Sequence, residues 1–184
     1  SITFLFLFLP IVMAVYYLVP EKMKNPVLLA ASIIFYAWGE PVYVVLMILS
    51  ILLNYACGMD IALKAENERK ARNSMIFVVT VNVLILGFFK YYGFLLDIVN
   101  GILPVNLPYR ELALPIGISF FTFQEISYIV DVYRGKAKAQ SSLIRFALYI
   151  AMFPQLIAGP IVRYEDIEPQ LEQRHVSAKK LGQG

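Results

Sequence analysis

One cysteine, one histidine and one tryptophan are all that the 184 residues contain of those types. The lone Cys57 sits in an apolar stretch without a partner, so no disulfide and no cysteine-metal site can form within the chain. Its plain reading is a small buried hydrophobe. The lone His175 lies in "LEQRHVSAKK", a polar tail with no apolar wall and no obvious carboxylate partner, and reads as a solvent-exposed bystander. No serine-nucleophile motif, phosphate loop or metal-ligand cluster is present, so no complete catalytic set is legible and no metal is expected. Charge is also scarce. Asp, Glu, Lys and Arg make up 16% of the chain, where an ordinary soluble domain has about 25%.

Apolar residues fill the remainder. The chain is 59% hydrophobic with a mean hydropathy of +0.67, well above the roughly 45–50% apolar share of soluble domains. About 20 apolar residues cross a hydrocarbon core of about 30 Å. By that rule there are six candidate segments: Ile2–Val19, Pro26–Trp38, Val42–Gly58, Ser74–Val99, Leu114–Tyr133 and Ser142–Ala158. The expected fold is an all-α polytopic membrane protein, with residues 1–184 forming part of a single membrane domain and no soluble domain. Ile2–Val19 has no basic residue ahead of it and no small-x-small pattern before Pro20-Glu21, so it reads as a retained span rather than a signal peptide. Pro26–Trp38 is short for a crossing, and Gly39-Glu40-Pro41 turns it into a tight hairpin with the next segment.

The net charge of +3 does not point to nucleic acid, because the basic residues fall in alternate loops. Lys22 and Lys24, then Lys64, Arg69, Lys70 and Arg72, then Arg134, Lys136 and Lys138 mark one side, and the loops between them are poor in base. The positive-inside pattern places the N-terminus outside the membrane and the basic loops in the cytoplasm. The polar stretch "DIALKAENERKARN" from Asp60 to Asn73 reads as a cytoplasmic helical loop with Glu66–Lys70 and Glu68–Arg72 in a favourable pairing order. It is a solvated face or a docking surface for a soluble partner. In "GFFKYYGFLLD", Lys90 is wrapped by aromatic rings, which fits an interfacial belt or a lysine meeting an anionic group inside the protein.

The fifth segment carries polar groups on two helical rows. Gln124, Ser127 and Asp131 lie at i, i+3 and i+7, and Ser119, Thr122 and Glu125 at i, i+3 and i+6. A carboxylate at the bilayer centre costs about 2.5–3.5 kcal/mol, so both rows cannot face lipid, and protein or a hydrated cavity must surround this helix. Asp131 either pairs with Arg134 or belongs to that interior. The last segment holds Pro154 and ends at Gly159-Pro160, which predicts a broken or re-entrant helix near 154–160. Such backbone survives at membrane depth only where protein or a water-filled cavity satisfies it. After it, Val162–Leu171 reads as a polar segment at an interface. A channel or exporter would use the same devices, and an assembly subunit is a further reading, so both non-enzymatic readings stand beside an enzymatic one.

The motifs "ASIIFYAWGEP", "LSILLNYACG", "LGFFKYYGF", "LPIGISFFTFQEISYIVDVYRGK" and "FPQLIAGPIVRYEDIEPQL" run in order through nearly the whole chain. Together they resemble the N-terminal portion of a bacterial membrane-bound O-acyltransferase. The resemblance implies a ring of helices around a thinned membrane centre, with a tunnel that carries an acyl group, acetyl in this branch, from a cytoplasmic donor toward an extracytoplasmic polysaccharide. It implies a catalytic histidine downstream of Gly184, so no catalytic residue is expected in this chain and the portion alone is expected to be inactive. The implied donor is acetyl-CoA or another acyl thioester, with no covalently bound cofactor, and the implied partner is an extracytoplasmic acetyltransferase. On the same ground Gln124, Gln155, Arg163, Ser119 and Thr122 are the candidate tunnel or substrate-lining residues. Tyr133 and Arg134 are candidates for the donor end, where interface anchoring explains them equally well.

Overall fold

A computed structural model describes residues 3–102, 114–156 and 163–172 of the chain. Among these residues every regular element is helical. A π-helical turn, Phe4–Phe8, leads into α1 (Leu9–Leu18), followed by α2 (Glu21–Gly39), α3 (Tyr43–Leu63), α4 (Glu68–Ile102), α5 (Ile118–Tyr133), α6 (Leu143–Ala151), the short α7 (Phe153–Leu156) and α8 (Tyr164–Glu172). Helices α3, α4 and α5 pack on one another, α2 packs on α6, and α1 lies against α2. Both α3 and α4 are long and apolar enough to cross a membrane by length and composition. At about 1.5 Å per residue, the 35 residues of α4 extend about 52 Å.

Several boundaries differ from those read in the sequence. The segment expected at Pro26–Trp38 starts five residues earlier, so α2 has 19 residues and is not short: it rises about 28 Å. Pro26 is tolerated near its start, where few intrahelical bonds are lost. The polar stretch 60–73 is not one helical loop. Its first residues finish α3, residues 64–67 turn, and α4 begins at Glu68. The corner is held by Lys64, whose ammonium bonds Asp60 at 2.6 Å and Ser74 at 3.3 Å. Glu66 with Lys70 and Glu68 with Arg72 are not among the ion pairs of the described residues. The fifth segment begins only at Ile118, because Pro115 precedes it and Gly117 takes a left-handed φ of 78°.

That helix ends at Arg134-Gly135. Lys136 N–H donates to the Asp131 carbonyl at 2.9 Å and Gly135 N–H to that of Val132 at 3.1 Å, the two bonds of a Schellman cap. The predicted break in the last segment is present, two residues before Pro154. Pro154 cannot continue α6 because its ring would meet the carbonyl four residues back. The chain therefore leaves the helix at Met152 (ψ 116°) and restarts at Phe153, with the proline in the new first turn. The Gly159-Pro160 part of the expected break lies outside the described residues.

The core gathers where α3, α5 and α6 meet, around Met47, Ile51, Phe121, Tyr128, Phe146 and Tyr149. Tyr128 is its hub, with ring centroids 4.7 Å from Phe146 and 5.2 Å from Tyr164. Gly58 allows α3 to approach this ring, since a β-carbon there would stand 2.9 Å from Tyr128 Cε1. Gly87 in α4 faces open space instead. Gly58→Ala is therefore expected to destabilise the natural protein by about 1–3 kcal/mol through overpacking, whereas Gly87→Ala should be neutral or slightly stabilising. Thermal unfolding of both variants in detergent checks this, and an unaltered midpoint for Gly58→Ala would refute the close contact.

Candidate functional site

The break between α6 and α7 leaves two backbone groups without their helical partners. In a continuous helix Phe153 N–H would donate to the Tyr149 carbonyl. Here Phe153 N–H donates to Ser32 Oγ at 3.2 Å, and the Tyr149 carbonyl accepts from Gln124 Nε2 at 3.0 Å. Ser32, on α2, donates its own proton to the Leu28 carbonyl at 2.8 Å. Both side chains have no exposed surface. Two helices thus supply the donor and the acceptor that the break needs, which satisfies the rule that buried backbone groups are paired.

A second network ties α3 to both of its neighbours. Ser50 and Asn54 lie one turn apart on α3, on its buried face. Ser50 Oγ donates to Glu125 Oε2 at 2.6 Å. The amides of Asn54 and Asn82 exchange hydrogen bonds at 3.1 and 2.8 Å, and Asn54 also donates to the Ser50 carbonyl at 3.0 Å. The line runs from α4 through α3 to the carboxyl of Glu125 on α5. Gln124 Oε1 and Glu125 Oε1 are buried without a hydrogen-bond partner among the described residues.

A third set orders the chain between α5 and α6. Gln140 N–H donates to Tyr128 Oη at 2.9 Å, its side-chain amide bonds Tyr164 Oη, and its Oε1 accepts from Ser142 N–H at 2.9 Å. Tyr55 donates to the Ser141 carbonyl at 2.7 Å. These bonds hold the start of α6, and α8 through Tyr164, against the end of α5.

The polar rows of the fifth segment are enclosed as expected. Thr122, Gln124, Glu125 and Asp131 are buried, and Ser119 and Ser127 are half-buried. Asp131 forms no ion pair with Arg134, because Arg134 caps the helix end and is exposed. Tyr133 lines a cleft of about 360 Å³ with Ile61, Ala62, Glu68, Val132 and Gly135. Arg163 is exposed just before α8. The side chain of Gln155, in α7, lies outside the described residues, as does His175. Lys90 is exposed, with its ammonium 5.9 Å from the Tyr91 ring centroid, and nearby Phe88 meets Phe89 edge-on and Tyr92 at a tilt. Among the described residues no three His, Cys, Asp or Glu side chains come together as metal ligands.

Ser32, Ser50, Asn54, Asn82 and Gln140 did not stand out in the sequence. The available signal was local: "LLNYA" and "TVNVL" each place an amide inside an apolar run, where a side chain without a partner is costly. The Asn54–Asn82 pair can be tested by a double-mutant cycle on thermal stability. Asn54→Leu or Asn82→Leu alone leaves one buried amide unpaired and should cost about 1–3 kcal/mol. The double variant should cost clearly less than the sum. Strictly additive losses would mean that the two amides do not interact.

Comparison with known proteins gives this interior its context. No protein-family model matches the chain, and no solved structure matches it significantly. The chain is 42% identical, over 100% of its length, to the probable alginate O-acetylase AlgI of Pseudomonas aeruginosa, and 40% identical to that of Pseudomonas syringae pv. tomato. It covers 36% of each of those proteins. Over 94% of its length it is 33% identical to the peptidoglycan O-acetyltransferase of Helicobacter pylori, of which the match covers 38%. The chain is therefore similar along its whole length to the alginate O-acetylases, and it spans little more than a third of those it matches.

Proposed function

We propose that the chain forms part of a membrane-embedded O-acetyltransferase that passes an acetyl group from a cytoplasmic donor toward an extracytoplasmic polysaccharide. The observation that carries this reading is the similarity along the entire chain to proteins named as probable alginate O-acetylases, and along 94% of it to one named as a peptidoglycan O-acetyltransferase. The outward faces of the helices agree with a membrane setting. Trp38, Leu63, Val42 and Leu84 are largely exposed, as are Phe77 and Phe94, and large apolar side chains left outward on several helices fit a lipid or protein surrounding.

In this reading α1 to α5 cross a cytoplasmic membrane with the N-terminus outside, α6 enters it from the cytoplasmic side and breaks, and together they contribute part of a helical ring. The basic residues of the α2 start, the α3–α4 corner and the α5–α6 connection face the cytoplasm, and the Lys90 belt marks the opposite interface. The donor is acetyl-CoA or another acyl thioester. Tyr133 and its cleft lie at the donor end, and an extracytoplasmic acetyltransferase completes delivery to the glycan. The residues of this chain act as scaffold for the passage. Gln124 and Ser32 fix the α6–α7 break that forms part of its wall, and Ser119 and Thr122 lie on the same helix as Gln124.

Positioning of this kind is sensitive, since a misplacement of about 1 Å can cost about 100-fold in rate. Gln124→Leu and Ser32→Ala, each made in the natural protein and expressed in cells lacking their own polysaccharide O-acetylase, should lower the O-acetyl content of the glycan by about ten-fold or more. Membrane levels on immunoblots should remain unchanged. Full acetylation by both variants would reject the positioning role. A wild-type protein that acetylates nothing with any donor, but passes solutes across liposomes, would reject the acetyltransferase reading in favour of a channel.

A further inference from the structure

The first two helices enclose an apolar groove of about 530 Å³. One wall is Phe4, Leu7, Phe8 and Ile11, from the π-helical turn and α1, and the other is Ile34, Phe35 and Trp38 of α2. Small residues open the space between these walls, because Ala30 and Ala31 stand one turn before Ile34 and Phe35. The connection Val19-Pro20 sends α2 back along α1, so that Phe4 meets Phe35 with ring centroids 5.1 Å apart. The groove therefore runs from Val15 and Val27 at one end to Thr3 and Trp38 at the other. From Val27 to Trp38 the rise is about 16 Å. Among the described residues no charged side chain lines it, and Thr3 carries its only hydroxyl.

A lining without charge offers nothing to a lipid head group, a soluble anion or a polar peptide. Water is no better suited, since a buried water needs two to four polar partners, and an unfilled void forfeits dispersion contacts. The occupant must be apolar. In the membrane placement given above the Trp38 end lies at the outer interface, where amphipathic rings sit at head-group level, and the Val27 end points into the bilayer. A helix, about 10 Å or more across with its side chains, would lie over the groove, whereas a single hydrocarbon chain enters it lengthwise. We propose that the groove holds one acyl chain of an outer-leaflet phospholipid as a resident lipid, with the head group beyond Trp38. The chain packs on Phe8 and Phe35, and both of those rings also meet Phe153, at centroid distances of 5.5 and 5.8 Å. Phe153 restarts the helix after the break, and its N–H is the one that Ser32 takes. Lipid and Ser32 thus support the same residue. The proposal rests on the membrane placement and is independent of which group the natural protein transfers.

Two measurements on the natural protein test this. In the first, wild type is reconstituted in vesicles of phosphatidylglycerol and phosphatidylethanolamine with a trace of phosphatidylcholine that carries a diazirine in mid-chain. Photolabelling should mark Ala30 and Ile34 about five-fold more heavily than Leu84 and Phe77 on the open face of α4. In the second, the protein is extracted in mild detergent and its retained lipid is weighed by native mass spectrometry. Ala30→Trp, which fills the groove from an exposed position, should lower the occupancy of one retained phospholipid about five-fold or more, and Leu84→Trp should leave it unchanged. Equal labelling of the two faces, or retention undiminished in Ala30→Trp, overturns the resident chain. Ile34 left unlabelled means that protein covers the groove, either another part of the natural chain or a second copy, and overturns it too. A retained species with the mass of a free fatty acid overturns the phospholipid assignment. Should Ala30→Trp not fold, the wild-type labelling decides. Release of the wild type from membranes by alkaline carbonate overturns the membrane placement and the lipid site with it, whereas failure of the site in a protein that resists the wash leaves the placement standing.

Discussion

A broken helix inside an apolar bundle must have its freed backbone groups satisfied by side chains, and the arrangement of the other helices follows from that requirement. Pro154 ends α6 early, and the carbonyl of Tyr149 and the N–H of Phe153 are left facing protein. An unpaired buried group costs about 1–3 kcal/mol. Gln124 and Ser32 remove both deficits, and they come from helices on different sides of the break. The positions of α2 and α5 relative to α6 are therefore specified by directional bonds as well as by apolar packing. The same neighbourhood is tied again at the opposite end of α2, where Tyr36 donates to the Ile116 carbonyl at 2.9 Å, just ahead of α5.

The buried polar groups are mostly uncharged amides and hydroxyls. Neutral groups are far cheaper to enclose than ions, and each pairing in the Asn54–Asn82 and Ser50–Glu125 line joins two helices. Apolar packing between lipid-exposed helices is weakly directional, because lipid tails are as apolar as leucine. Bonds of this kind set register where apolar contacts alone would let α3 slide against α4. Glu125 and Asp131 are the exceptions in kind, and Glu125 is held by a hydroxyl donor and not by a counter-charge among the described residues. A glutamine in its place would preserve the Ser50 contact and the shape of the site.

Much of this was legible from composition and spacing. The apolar blocks gave the helices, the two polar rows marked the fifth segment as enclosed, and Pro154 located the break to within two residues. The misread boundaries have one cause. Hydropathy assigns Glu21 to Asn25 to a loop, yet Glu21 and Lys24 pair within the first turn of α2 and carry the helix out to the polar end. The α3–α4 corner was misread in the same way, since helix-forming polar residues do not reveal where the chain turns. Ser32, Asn54 and Asn82 stayed hidden for a different reason. A polar residue in an apolar run looks like a tolerated exception until its partner is known, and those partners lie between 28 and 121 residues away in sequence.

The two ends of the bundle carry different chemistry, and this asymmetry bears on direction. At the end where α2, α4 and α6 begin, Lys22, Lys24 and Arg145 line one cleft and Tyr133 lines another beside Glu68. Near the far end of α3, Tyr43 meets Phe89 with ring centroids 5.6 Å apart, and Lys90 follows in its aromatic setting. Recesses with charged walls lie only at the first of these ends among the clefts described. The break between α6 and α7, clamped by Ser32 and Gln124, lies on the helix that starts at the basic end.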